Sequence, residues 1–214
     1  MNLARQLRGL VGSLRGQGKE RARKRPSYFT LPYRPLAGGF SHADLGCGSR
    51  RARATLLGYP DRVADIGIDV TTEGSQADVV CSLGLEQLPL ESDSQDLVTA
   101  NDLLEHIPKI CAVSENGKMA YAYPTIALFN EVYRVLKPGG YFEALTPGVP
   151  NYWNGAVRDP THASLYCIES FDYFCKGRWE SLSRSYGLLH AFEKVKVHWK
   201  DGFVIQAVLR KPVG

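Results

Sequence analysis

The stretch His42-Ala43-Asp44-Leu45-Gly46-Cys47-Gly48-Ser49 decides the fold of this 214-residue chain. A predicted β-strand over residues 41–46 runs directly into two glycines, where the backbone can turn sharply and a ligand can approach closely. In parallel sheets, ligands bind at the carboxyl ends of the strands, near the point where strand order reverses. The glycine turn therefore predicts the floor of a ligand pocket.

Short β-like runs alternate with helical stretches from residue 40 onward. The predicted strands cover residues 41–46, 62–70, 77–83, 96–101 and 140–146. The clearest helix is predicted over Pro124–Lys137, with its apolar residues on one face and Pro138-Gly139-Gly140 at its end. This alternation is typical of a parallel sheet joined by crossover helices on both faces.

The C-terminal end departs from that alternation. Two β-like runs, Phe192–Lys200 and Phe203–Lys211, are joined only by Asp201-Gly202. An Asp-Gly pair favours a type I′ turn, which connects antiparallel strands. We therefore predict an α/β fold with a doubly wound, mostly parallel, seven-stranded sheet and one antiparallel strand in a C-terminal hairpin.

Composition indicates an ordinary globular domain, with 44% apolar and 22% charged residues. No apolar run approaches the roughly 20 residues that span a bilayer, so we expect no transmembrane segment. Five cysteines without a C-x-x-C pair give no sign of a disulfide framework, and we expect a cytoplasmic protein.

The basic residues are concentrated near the start of the chain. Residues 1–25 carry eight Lys or Arg against the single acid Glu20, a local charge of +7. We divide the chain into a basic N-terminal arm or helix over residues 1–39, which could act as a lid, and a domain over residues 40–214. Such an arm suits nucleic acid or an anionic surface, or it is merely solvated or packed over the domain.

The glycine turn distinguishes between two kinds of cofactor. A nicotinamide-dependent dehydrogenase needs G-x-G-x-x-G, but Arg51 stands at the third glycine, and Asp44 disfavours a pyrophosphate. With its D-x-G-x-G pattern, the turn instead resembles that of the class I S-adenosylmethionine-dependent methyltransferases. The frequent third glycine of that family is Arg50 here. The resemblance covers roughly residues 40–147 and implies a Rossmann-like fold, S-adenosylmethionine as cofactor and S-adenosylhomocysteine as product.

The resemblance also implies the residues that bind the cofactor. Asp69 ends the second strand with a carboxylate that suits the two ribose hydroxyls, unless it is simply a helix cap. Ser82 and Leu83 stand where the family recognises adenine, although many members carry an acid at Ser82. The full predicted set is Asp44, Gly46, Cys47, Gly48, Asp69, Val70, Ser82, Leu83 and Asn101.

Methyl transfer needs an aligned nucleophile and, if that nucleophile is protonated, a base. The segment Asp159-Pro160-Thr161-His162 resembles one that faces the acceptor in some small-molecule and sugar-modifying methyltransferases. We predict His162 as the base, with His106 and Tyr166 as further catalytic candidates. Alternatively, His162 makes a structural hydrogen bond to Asp159 or to the backbone, and His106 fixes its loop.

Two further expectations concern the surroundings of this site. Residues 109–123 form a long insertion that could be a lid or merely a surface excursion. Glu105 and His106 lack the partners of a metal site, and the other cysteines and histidines show no ligand spacing, so no metal is predicted.

The leading hypothesis is therefore an enzyme that methylates an oxygen or nitrogen of a small molecule, with a sugar or a natural-product intermediate among the candidates. The first alternative is an RNA or protein methyltransferase that uses the basic arm. The second is a non-catalytic, methyltransferase-like scaffold, which only Arg50 and Ser82 favour.

Overall fold

The computed structural model describes residues 39–214, so the predicted basic arm lies outside the described residues except for its last position. Nine strands form two sheets within this range. They are β1 His42–Leu45, β2 Ile66–Asp69, β3 Val79–Val80, β4 Gln95–Asn101, β5 Cys111–Glu115, β6 Lys118–Ala122, β7 Leu136–Pro147, β8 Glu193–Lys200 and β9 Val204–Arg210.

Seven of these strands form one sheet in the order β3-β2-β1-β4-β7-β9-β8. Neighbouring strands are parallel except where β9 pairs with β7 and with β8. The chain moves outward from β1 in one direction with β2 and in the other with β4, so the strand order reverses at the glycine turn. The predicted fold class is confirmed.

The C-terminal hairpin has the predicted Asp-Gly turn. Asp201 and Gly202 have φ angles of 54° and 80°, and the Phe203 amide donates to the Lys200 carbonyl over 3.2 Å. Positive φ at both central positions is the signature of a type I′ turn. Because Lys200 pairs with Val204, the loop is one residue longer than predicted, and Phe203 belongs to the turn.

The helices are short, and the predicted helix Pro124–Lys137 ends at Val135. They are α1 Pro124–Val135, α2 Trp153–Val157 and α3 Glu180–Ser185, with 3-10 turns at Thr55–Leu57, Leu104–His106 and Ile168–Phe174. The predicted crossover helix after β1 is reduced to Thr55–Leu57, because the backbone there forms bonds across the loop instead of along a helix: Ala54 donates to Arg62, and Ala64 donates to Ala52. Within residues 39–214, no helix is both long and apolar enough to cross a bilayer.

The sheet has a different environment on each face. The α1 face carries the main core, in which Phe129 and Phe142 are fully buried. On the opposite face a smaller cluster gathers around the turn after β1: Ala54, Leu56, Leu57, Leu97, Tyr141 and Val208. This smaller cluster leaves the carboxyl end of the second face to polar side chains.

A chain of polar side chains on this second face links β1 to β4. The imidazole Nε2–H of His42 donates to Thr99 Oγ1 over 2.9 Å, and the Thr99 hydroxyl donates to Asp44 Oδ1 over 2.7 Å. His42 and Thr99 are almost completely buried. Burial lowers the pKa of His42 to about 4; the Asp65 carboxylate opposes this shift and the Arg62 guanidinium adds to it.

This shift predicts the effect of His42 on stability at low pH. Below its ordinary pKa of 6.5 the unfolded ring binds a proton, whereas the folded ring stays neutral until about pH 4. As the pH falls from 6.5 to about 4, we expect the contribution of His42 to the free energy of unfolding to decrease by about 3 kcal/mol. Above pH 6.5 this contribution should not change with pH.

Urea unfolding at a series of pH values measures this slope. His42→Gln should remove most of it, while His190→Gln, at an exposed position, should keep it. Equal pH dependence in the wild type and His42→Gln would show that His42 is not the source.

Candidate active site

The glycine turn after β1 has two positive-φ glycines with different surroundings. Gly46 and Gly48 have φ angles of 65° and 50°. A Cβ atom on Gly46 would lie 2.9 Å from Leu103 Cδ1, whereas one on Gly48 would meet no atom within 4 Å. Gly46 therefore allows close packing, and Gly48 leaves open space into which a ligand fits.

Asp44 holds this turn in place. Its side chain is 2% exposed; Oδ2 accepts the Ala52 amide and Oδ1 the Thr99 hydroxyl, both over 2.7 Å. Burial raises the pKa of the Asp44 carboxyl, and these two hydrogen bonds oppose the shift. Because both oxygens are engaged with the protein, the direct effect of Asp44 is to shape the cradle.

Asp69 lies at the end of β2, against the same turn. Its Oδ2 accepts the Gly48 amide over 2.9 Å, and its Oδ1 accepts the Val70 amide over 2.7 Å. A carboxylate has about four lone-pair positions, so two remain for a ligand. Val70 beside it is 62% exposed, which gives this end of the cradle an apolar surface.

A cavity of about 1130 Å³ opens above the turn. Five of the predicted cofactor residues line it: Asp44, Gly46, Cys47, Gly48 and Asn101. The four others, Asp69, Val70, Ser82 and Leu83, are not among its lining residues. The far wall comes from the C-terminal hairpin, where Trp199 and Gln206 face the cavity, and no sequence motif pointed to these two residues.

Ser82 and Leu83 belong to a tight turn after β3. The Ser82 amide donates to Glu86 Oε2 over 2.6 Å, and the Leu85 amide donates to the Ser82 carbonyl over 2.9 Å. Leu83 is buried. The carboxylate that stands beside Ser82 is therefore that of Glu86, which sequence reasoning missed because it lies four residues further along the chain.

The loop after β7 folds back onto the turn after β4 and joins two predicted residues. The Glu105 carbonyl accepts the amides of Ala163 and Ser164 over 2.8 and 2.9 Å. As a result the rings of His106 and His162 meet edge to face, with centroids 4.7 Å apart. The sequence predicted both histidines but gave no sign that they touch.

Hydrogen bonds define the tautomer of each ring. The Thr161 hydroxyl donates to Asp159 Oδ1 over 2.6 Å, so it must accept from His106 Nδ1, 3.0 Å away. His162 Nδ1 lies 3.0 Å from the Ala156 carbonyl, which can only accept. In its neutral form each ring therefore carries its hydrogen on Nδ1 and has a lone pair on Nε2.

Glu105 places a carboxyl group beside the two rings. It is 2% exposed, and its Oε2 accepts the Thr146 hydroxyl over 2.8 Å. Burial raises the pKa of Glu105 to about 7. One Glu105 oxygen and one nitrogen of each histidine lie within 4.8 Å of one another. The expectation that Glu105 and His106 lack a partner was wrong, because His162 supplies it.

Tyr166 does not suit the predicted catalytic role. It is 1% exposed, and burial raises its pKa to about 12, so the phenol stays protonated near neutral pH. The Lys109 ammonium lies 4.6 Å from its ring centroid. The position of Tyr166 is that of a core residue under the loop after β7.

The predicted insertion forms the separate β5–β6 hairpin. Met119 and Tyr121 on β6 are more than 70% exposed. The segment is thus a two-stranded ribbon with exposed side chains on β6, and its action as a lid stays a prediction.

The strand order, the reversed β9 and the D-x-G-x-G turn at the switch point together define a class I S-adenosylmethionine-dependent methyltransferase. The family model described as "Methyltransferase domain" matches residues 43–144, from β1 to β7. This part of the chain is similar to methyltransferase domains, and S-adenosylmethionine is the cofactor.

Solved structures share the fold at low sequence identity. A SAM-dependent methyltransferase from Archaeoglobus fulgidus has a TM-score of 0.53 and 15% identity, over 81% of this chain and 87% of that one. Phosphoethanolamine N-methyltransferase 2 of Haemonchus contortus, in complex with S-adenosyl-L-methionine, has a TM-score of 0.51 and 17% identity. That match covers 83% of this chain and 50% of the other. No curated protein sequence matches the chain.

The contact between Gly46 and Leu103 predicts a loss of both stability and cofactor binding in Gly46→Ala. An alanine at positive φ costs about 1–2 kcal/mol, and here the added methyl group also collides with Leu103. Gly74→Ala is the matched control, because Gly74 has a φ of 69° and open space around it.

Thermal unfolding and titration with S-adenosylhomocysteine measure the two effects. Gly46→Ala should be the less stable variant and the only one to lose affinity. Equal behaviour of the two variants would mean that the packing on Leu103 does not shape the cradle.

Proposed function

We propose that this protein transfers the methyl group of S-adenosylmethionine to an oxygen or nitrogen atom of a small molecule, with His106 and His162 facing the acceptor. The observation that carries this proposal is the pair of imidazoles, each with an Nε2 lone pair in its neutral form, linked to the cofactor turn through Leu103. Leu103 packs on Gly46 and directly precedes the Leu104–His106 turn, so the pair is tied to the cradle by a short rigid segment.

The cradle supports a specific placement of the cofactor. The open space at Gly48 suits the methionine portion, and the Asp69 carboxylate beside it suits the ribose hydroxyls. Val70 and Leu85 are 62% and 67% exposed, and they offer the apolar surface that a purine ring needs. Adenine therefore lies on the β2–β3 side, which directs the sulfonium towards β4.

The reaction itself requires alignment and one proton transfer. A lone pair of the acceptor forms a bond to the methyl carbon as the carbon–sulfur bond breaks, which leaves neutral S-adenosylhomocysteine. The acceptor proton passes to Nε2 of His162. Its ring is oriented for this by the Nδ1–H bond to the Ala156 carbonyl. That bond is the backbone hydrogen bond considered from the sequence, and it leaves Nε2 available for the proposed catalytic role.

The two alternatives stay predictions of the sequence. RNA or protein methylation relies on residues 1–25, which lie outside the described residues. A non-catalytic scaffold would need a defective cradle, and the open space at Gly48 together with the carboxylate of Asp69 argues against one.

The ribose assignment predicts that Asp69→Ala weakens cofactor binding. Loss of a hydrogen bond to an ionised group costs about 1.5–3 kcal/mol, which corresponds to an affinity lower by ten- to a hundredfold. Asp78→Ala is the control, since the Asp78 carboxylate also accepts a backbone amide, that of Gly67 over 2.8 Å, on the edge of the same sheet.

Calorimetric titration with S-adenosylhomocysteine and thermal unfolding compare these variants. Both should lose some stability, and only Asp69→Ala should lose the stated affinity. An unchanged dissociation constant in Asp69→Ala would remove the ribose assignment.

The proton-transfer role predicts that His162→Ala lowers turnover and leaves cofactor affinity intact. General bases contribute about 10²- to 10⁴-fold to the reaction rate. The rate of S-adenosylhomocysteine release, measured over a panel of hydroxyl- and amine-bearing acceptors, should therefore fall at least about 100-fold. His190→Ala, whose ring stacks on Tyr133, should retain wild-type turnover. Wild-type turnover in a folded His162→Ala variant would contradict the proposal. If the alanine variant unfolds, the same measurement is made on His162→Gln.

A further inference from the structure

We propose that Glu105, His106 and His162 form a binding site for a divalent transition-metal ion, with one carboxylate oxygen and two imidazole nitrogens as its protein ligands. These three side chains come from the turn after β4 and the loop after β7. One donor atom of each already lies within 4.8 Å of the others. The use of such an ion in methyl transfer rests on the proposed function, whereas the binding site itself does not.

The hydrogen bonds behind the two rings have the arrangement found at metal centres. A metal-binding imidazole almost always donates its other N–H to a carbonyl or a carboxylate, which fixes the tautomer and the ring orientation. His162 donates its Nδ1–H to the Ala156 carbonyl. His106 donates to the Thr161 hydroxyl, which in turn donates to the Asp159 carboxylate. Both Nε2 atoms are therefore left with a lone pair that can bind an ion.

The carboxylate is held in a similar way. Thr146 donates to Glu105 Oε2, so Oε1 is the oxygen left for a ligand bond. The backbone carbonyl of Glu105 also accepts the amides of Ala163 and Ser164, which clamps the loop that carries His162 onto the turn that carries His106. Six hydrogen bonds within the chain thus fix the three donor groups.

Ion binding requires a modest closure of the site. With metal–ligand bonds of about 2.1 Å, the donors of a tetrahedral site lie about 3.4 Å apart. The donors here lie within 4.8 Å of one another, so a small turn of the rings is enough to reach that geometry. His106 and His162 are only partly buried, while Glu105 is almost completely buried, so the two rings are the parts with room to move.

The donor set indicates the kind of ion. Imidazole nitrogens favour zinc, cobalt, nickel or iron, while magnesium and calcium prefer oxygen ligands. Three protein ligands leave at least one coordination position open, which is typical of catalytic rather than structural sites. An acceptor hydroxyl bound at that position would lose its proton to water more readily, so in the metal-bound protein the two imidazoles would act as ligands and solvent, not His162, would take the proton.

Cobalt(II) titration followed by visible absorption tests the site directly, because the d–d bands of Co²⁺ report nitrogen and oxygen coordination. We expect one Co²⁺ per full-length chain, displaced by Zn²⁺. His106→Gln and His162→Gln should each lower the Co²⁺ affinity at least tenfold. Thr161→Val, which removes the acceptor for the His106 Nδ1–H, should lower it by about 10- to 100-fold.

His190→Gln is the matched control, since His190 stacks on Tyr133 away from the site and should leave Co²⁺ binding unchanged. Thermal unfolding of each variant confirms that it is folded. Absence of a saturable Co²⁺ signal in the wild type would overturn the proposal, as would equal affinity in the wild type and both ligand variants.

Titration of the same samples with S-adenosylmethionine separates this proposal from the proposed function. Cofactor binding without Co²⁺ binding removes only the metal site. Co²⁺ binding without cofactor binding supports the metal site and removes the methyltransferase function instead.

Discussion

The site depends on one buried carboxylate. Asp44 accepts hydrogen bonds from the Ala52 amide and the Thr99 hydroxyl, and so joins β1, β4 and the segment that returns from the glycine turn. These bonds partly offset the desolvation of the carboxyl group, and breaking them would leave a buried polar group unpaired, which makes the position of the turn hard to change. Gly46 can then pack on Leu103, and Leu103 in turn positions the Leu104–His106 segment. Cofactor cradle and histidine pair are therefore parts of one rigid unit.

Residues with special backbone conformations allowed the fold to be predicted from the sequence. The two glycines after β1 and the Asp201-Gly202 pair each demand a backbone conformation that few residues adopt, so they predicted the switch point and the antiparallel strand. The conformation of the crossover after β1 could not be predicted in the same way. Its backbone is bonded across the loop, between Ala54 and Arg62, and such non-local pairing overrides local helix propensity.

The candidate site shows the same division. The carboxylates Asp44 and Asp69 lie at or near the ends of their strands at recognisable spacing, so their place beside the glycine turn could be predicted. The meeting of His106 and His162 could not, because it depends on a loop that docks through the Glu105 carbonyl. Tyr166 was expected at the same site, but burial places it in the core, since aromatic spacing alone does not distinguish a pocket wall from packing.

Calorimetric titration of the purified protein with S-adenosylmethionine and, separately, with NAD tests most directly that this cradle binds a methyl donor. Saturable binding of S-adenosylmethionine at one site per chain, with no heat from NAD, is the predicted result. Binding of NAD in its place would contradict both the assignment of the glycine turn and the function derived from it.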